Sequence, residues 1–192
     1  MRLTLALTTL VFSTFGFADD TFQVRYAANL NIGDAFVDIT NTGANGTSLC
    51  ANLYTFDPAE ELVSCCTCSI TPNALQSLSV LKSLVSNPLT PAIPTSVVIK
   101  VVATTGTCNA ANVTSRALAH GLLAWGTTLH QNTSIATASY GVTETAFSFA
   151  DLSPSELTHI TSFCGFIQAN GSGFGICRGC LPGGLGASTS IQ

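Results

Sequence analysis

The sequence is poor in charge. Only 8% of its 192 residues are Asp, Glu, Lys or Arg, and six basic residues face ten acidic ones, for a formal net charge of −4. Beyond Arg2 the cations are Arg25, Lys82, Lys100, Arg116 and Arg178, all far apart in the chain. Phosphate recognition draws on clusters of Lys and Arg, so nucleic acid is excluded as a partner. A polybasic membrane footprint is excluded on the same ground. Long apolar runs are also missing after the N-terminus: the stretch 97–102 is short and contains Lys100, so no integral membrane segment is expected there. Histidine is scarce. His120, His130 and His159 are the three imidazoles, and none falls in an H-E-x-x-H motif or beside a G-x-S-x-G elbow. No catalytic, cofactor-binding or metal-binding residue is assigned, and no cofactor is expected.

The chain begins with a leader-like pattern. Arg2 gives a positive start, residues 3–17 are mostly apolar, and the small residues Gly16 and Ala18 precede Asp19 and Asp20. This fits a signal peptide over 1–18. An uncleaved anchor would need roughly 20 apolar residues, and this run is shorter. The expected location is therefore secreted, extracellular or at the cell surface. Ser, Thr, Asn, Gln and Ala take the place of the usual surface charges, as suits an exported, rigid β protein or a subunit that buries its flanks in an assembly. Disorder is disfavoured by the apolar fraction of 46%.

All eight cysteines, Cys50, Cys65, Cys66, Cys68, Cys108, Cys164, Cys177 and Cys180, follow the leader. Export and an even number point to four disulfides, with roughly a hundred possible connectivities. The clusters Cys65-Cys66-Thr67-Cys68 and Cys177-Arg178-Gly179-Cys180 could chelate zinc or an iron–sulfur cluster. Against that, only one C-x-x-C occurs and its partner is C-C-x-C, which is not the zinc-knuckle spacing. A thiol-exchange role lacks the helix N-terminus that would activate Cys177, since Leu181-Pro182-Gly183-Gly184 starts no helix.

Short β-branched or alternating segments separated by Gly, Pro and Asn predict strands over 22–28, 35–40, 49–56, 61–70, 96–104, 116–130 and 134–150. Asp57-Pro58-Ala59-Glu60 reads as a hairpin, and 75–85 as a strand running into a short turn. Ser153-Pro154-Ser155-Glu156 matches a capping box, after which Leu157, Ile160, Cys164 and Ile167 recur at helical spacing until Asn170-Gly171. The expected fold is mainly β: an antiparallel, immunoglobulin-like sandwich with one C-terminal helix, and a β-barrel as the alternative. One disulfide-stapled domain is expected over 19–180, and a flexible Gly-rich tail over 181–192.

Hairpin geometry gives two expectations for pairing. Placing Phe56 opposite Glu61 sets Cys50 opposite Thr67, so a small bulge would bring Cys66 or Cys68 to Cys50, while Cys65 points to the other face and pairs outside the hairpin. Cys164 is expected to join Cys177 or Cys180, because the intervening glycine loop can return the chain to the helix.

Other candidate groups have plain structural readings. His159 falls on the helix, and His120 and His130 lie in strand-like sequence. Asp57, Glu60 and Glu61 could form a carboxylate cluster for calcium, but the calcium-loop pattern is missing and a solvated hairpin tip is the simpler reading. Ser172 sits in Gly171-Ser172-Gly173, where glycines permit a tight loop. Sequons begin at Asn45, Asn112, Asn132 and Asn170.

The stretches Leu49-Cys50-Ala51-Asn52-Leu53-Tyr54-Thr55-Phe56-Asp57, the Cys65 to Thr71 cluster ending in Pro72-Asn73, and Cys164-Gly165-Phe166 through Ile176-Cys177 resemble a group of uncharacterised exported proteins from soil bacteria. That resemblance implies export and the cysteine framework, and brings no activity. The expected function is a non-enzymatic structural or interaction module outside the cell, with self-association among the possible contacts. A secreted hydrolase whose site is assembled from distant residues is the alternative, and a thiol redox or metal-binding protein a distant third.

Overall fold

A computed structural model describes residues 20–132 and 139–180. The expected leader and Gly-rich tail lie outside the described residues. Among the described residues nine strands form two antiparallel sheets: β1 (Phe22–Ala27), β2 (Phe36–Asn41), β3 (Leu49–Phe56), β4 (Leu62–Ile70), β5 (Leu75–Ser79), β6 (Val97–Thr104), β7 (Leu122–Asn132), β8 (Ser139–Ala146) and β9 (Ser148–Phe149). One sheet has the order β4-β3-β6-β1-β9 and the other β5-β2-β7-β8. Helix α1 (Pro154–Asn170) follows. The sheets stay separate, so the fold is the expected sandwich rather than a barrel. In the first sheet β6 is central, between β3 and β1, and in the second β2 and β7 form the central pair.

The first sheet is the middle of three layers. Leu53, Val63, Ile99 and Val101 face the second sheet, where Val37, Ile39, Leu78 and Leu122 meet them. Phe22, Tyr54, Phe56, Leu62 and Val102 face the other way, onto Leu157, Ile160, Cys164 and Ile167 of α1. Covering both faces explains why every residue of β3 is buried, Asn52 and Thr55 included. Tyr54 is fully enclosed beneath the helix layer. Its hydroxyl donates to the Ala110 carbonyl at 2.6 Å, and burial pushes the phenol pKa well above its ordinary value.

The helix ends follow the sequence signals. Ser153 Oγ accepts the Glu156 N–H at 3.1 Å, Pro154 opens the helix, and Gly171 closes it in the left-handed conformation at φ 65°. Segment 75–85 is strand then turn, as expected, with a short π-helical turn at Val80–Leu84. The segment expected as a strand over 116–130 differs. A 3-10 turn occupies Ser115–Ala117, Leu118 makes an isolated bridge to Thr104 of β6, and Gly121 at φ 101° precedes the strand that starts at Leu122. His120 is thus a loop residue. In the segment expected over 134–150, β8 and β9 account for the described part.

Eight cysteines form four disulfides, with Cα–Cα distances of 5.3 Å for Cys50–Cys108, 5.8 Å for Cys65–Cys164, 5.5 Å for Cys66–Cys177 and 4.6 Å for Cys68–Cys180. The expected link from Cys50 to Cys66 or Cys68 is not made. Phe56 faces Leu62, a register that would have put Cys68 opposite Cys50, but a bulge shifts it so that Thr55 faces Ser64 and Cys50 faces Ser69. One inserted residue therefore leaves Cys50 on the helix side and Cys66 and Cys68 on the inner side. Cys50 lies opposite Thr104 at the end of β6, and the loop that follows brings Cys108 to it.

The expected link from Cys164 to Cys177 or Cys180 is also replaced. Cys164 lies on the buried face of α1, above the outer face of β4 where Cys65 points. Segment 171–180 then wraps the edge of β4 and delivers Cys177 and Cys180 to its inner face. On the way the Cys65 N–H donates to the Gly175 carbonyl at 2.8 Å, and the Cys177 N–H to the Cys65 carbonyl at 3.3 Å. This covers an edge that would otherwise offer unpaired backbone groups. Cys65 does pair outside its hairpin, as expected. C-C-x-C is thus the spacing of one strand tied on both faces, and the cysteines set against zinc are spent on disulfides.

Candidate functional site

The three histidines are separated by the fold. His120 Nδ1 lies 2.6 Å from Asp20 Oδ1, while Asp20 Oδ2 accepts the Gly121 N–H at 2.8 Å. The pair pins the start of the described chain to the loop before β7, and the His120 side chain is 69% exposed. His130 on β7 contacts Thr143 Oγ1 of β8 at 2.9 Å. His159 on α1 meets the Phe163 ring edge-on at 4.5 Å between centroids. His130 and His159 line different cavities.

The carboxylates at the hairpin tip hold the turn. Asp57 Oδ1 accepts the N–H groups of Ala59 and Glu61, each at 2.9 Å, and Glu60 takes a left-handed conformation at φ 65°. Beside them Lys100 Nζ pairs with Glu156 Oε1 at 2.5 Å and stands 4.4 Å above the Phe56 ring. Among the described residues, no group of three or more His, Cys, Asp or Glu side chains is arranged to hold a metal ion.

Two features were not read from the sequence. The first is the outer face of α1, where Phe163 is 50% and Phe166 67% exposed, one turn beyond His159 and followed in the next loop by the exposed Phe174. The helical periodicity of Leu157, Ile160, Cys164 and Ile167 marks the buried face; the spacing of Phe163 and Phe166 was the available signal for a second apolar face.

The second is Arg25, which sequence reading treats as one scattered cation. On β1 its side chain points inward and is 8% exposed. Nη1 donates to the Thr145 carbonyl at 2.9 Å and to Thr145 Oγ1, and Nη2 donates to Thr128 Oγ1 at 3.0 Å. Nε is buried without an acceptor among the described residues. The side chain fits because position 126 is glycine: a Cβ there would stand 2.3 Å from Nε. Burial pulls the guanidinium pKa below its ordinary value, and the Glu144 charge offsets part of that pull. A cavity of about 270 Å³ opens here between β1 and the β7–β8 hairpin, lined by Arg25, Tyr26, Thr128, His130, Thr143 and Thr145.

Fold and site together define a disulfide-tied, three-layer β-sandwich with an apolar helix face and a polar inter-sheet cavity. No family model, curated protein or solved structure matches the chain.

Proposed function

We propose that the protein is an exported, non-enzymatic module that acts by surface contact, with the outer face of α1 meeting a partner outside the cell. The observation that carries this reading is the pair Phe163 and Phe166, two large rings exposed on a helix whose opposite face is fixed to the sheet by Cys65–Cys164. A rigidly held aromatic face loses little freedom on binding, which favours contact over a mobile surface. Export is supported by the leader pattern of 1–18 and by four disulfides, which persist in oxidising compartments.

Phe163→Ser with Phe166→Ser is expected to leave the melting transition almost unchanged, within about 0.5 kcal/mol, because exposed positions contribute little to folding. The same variant should reduce severalfold the fraction of protein retained on the surface of producing cells. Equal retention would contradict the proposal, and loss of the fold would show the rings to be structural. A concentration-dependent dimer lost in the variant would identify the partner as a second copy. The hydrolase reading is favoured by the His120–Asp20 pair, whose geometry is that of an oriented base. Hydrolysis of an ester or glycan panel that disappears in His120→Ala would replace the contact reading with that one.

A further inference from the structure

The cavity between β1 and the β7–β8 hairpin has an unusual charge balance. Arg25 is buried, yet among the described residues no carboxylate forms an ion pair with it; the Glu144 charge acts on it from beyond that distance, and its hydrogen-bond partners are a carbonyl and two threonine hydroxyls. Both Nη1 protons are engaged, whereas Nη2 uses one of its two. Thr128 accepts from Nη2 and keeps its own hydroxyl proton to donate. A buried cation solvated by neutral oxygens, with donors to spare at a cavity wall, favours an anion in that cavity.

The remaining wall narrows the chemistry. Thr143 and His130 hydrogen-bond each other across the β7–β8 pair, Ser148 lines the floor of the same space, and Tyr26 stands beside it 61% exposed. Hydroxyl and imidazole groups both donate and accept, which matches a ligand rich in hydroxyl groups, and an exposed ring suits the C–H face of a sugar. At about 270 Å³ the space lies at the lower end of small-molecule sites, the size of one sugar ring. We infer that this cavity binds an acidic monosaccharide unit, a pyranose whose carboxylate is held by Arg25 and Thr128 while its hydroxyls meet His130 and Thr143. The site lies on a different part of the molecule from the outer face of α1, so either proposal can fail alone.

Titration of the whole protein with glucuronate, glucose and acetate, followed by calorimetry or amide chemical shifts, tests this. Glucuronate is expected to bind at least about tenfold more tightly than glucose or acetate, a factor of ten being one good charge-assisted contact. Binding should weaken with added salt. Arg25→Lys, which keeps the charge and loses the planar fork, should weaken glucuronate about tenfold or more. Because that change touches a buried residue, His130→Ala with Thr143→Val at the exposed rim provides a second variant, expected to keep the wild-type melting curve and lose severalfold in affinity. The proposal is overturned by no detectable glucuronate binding at about 50 mM, far weaker than a millimolar site. It is equally overturned by glucose or acetate binding as tightly as glucuronate, or by an unchanged affinity in the rim variant.

Discussion

Replacing Cys65 and Cys164 together by alanine is expected to destabilise the fold by about 3 kcal/mol, the cost of opening a loop of some 15 residues. The sequence separation of 99 residues overstates the loop. With Cys66 still joined to Cys177, the chain from Cys164 to Cys177 already returns to the neighbour of Cys65, so the bond closes only the short ring through α1 and the glycine loop. A separation near 100 residues would by itself correspond to about 4.7 kcal/mol, and the difference between these two values measures how far the bonds act as a set. For a domain of this size, 3 kcal/mol corresponds to a fall in melting temperature of about 6–12 °C. Thermal unfolding under non-reducing conditions, followed by circular dichroism, reads it directly. A fall below about 1 kcal/mol would mean that packing alone fixes α1 to the sheet.

The second large effect is expected at Ile160. Its side chain is fully buried between α1 and the outer face of the first sheet, among Phe22, Tyr54, Phe56 and Val102. Ile160→Ala removes apolar area and leaves a cavity that β-strands braced on their other face cannot fill, so a loss of about 2–5 kcal/mol is expected. Urea unfolding checks it: the midpoint should fall with the slope unchanged. The contrast with Phe163, three residues away on the exposed face, separates the packing role of the helix from its contact role. Ile160 and Cys164 lie one turn apart on the same face, so the two losses should not simply add.

What could be read in advance was local. The Ser153 cap, Pro154 and the left-handed Gly171 bound the helix by rules that act within a few residues, and β3 and β4 were delimited by their own turn at 57–61. What could not be read was pairing between distant segments. Which cysteine meets Cys50 depends on a single-residue bulge near Val63 and on the nonlocal pairing of β3 with β6, and neither leaves a mark in the spacing of cysteines. Arg25 illustrates the same limit at the candidate site. Its burial depends on the bare backbone of Gly126 and on Thr128 and Thr145, residues brought beside β1 only when the two sheets stack. His120 lies in a loop for a conformational reason: Gly121 at φ 101° ends that loop within strand-like sequence, and β7 starts only at Leu122.

Strand β4 is tied on both faces, to the helix through Cys65 and to the wrapped C-terminal segment through Cys66 and Cys68. Peptide mapping of the unreduced protein by mass spectrometry, with proteolysis at low pH to prevent exchange, tests it most directly. The expected bonds are Cys50–Cys108, Cys65–Cys164, Cys66–Cys177 and Cys68–Cys180, with no cysteine open to alkylation. A peptide joining Cys164 to Cys177 or Cys180, or two alkylated cysteines in the folded protein, would contradict it.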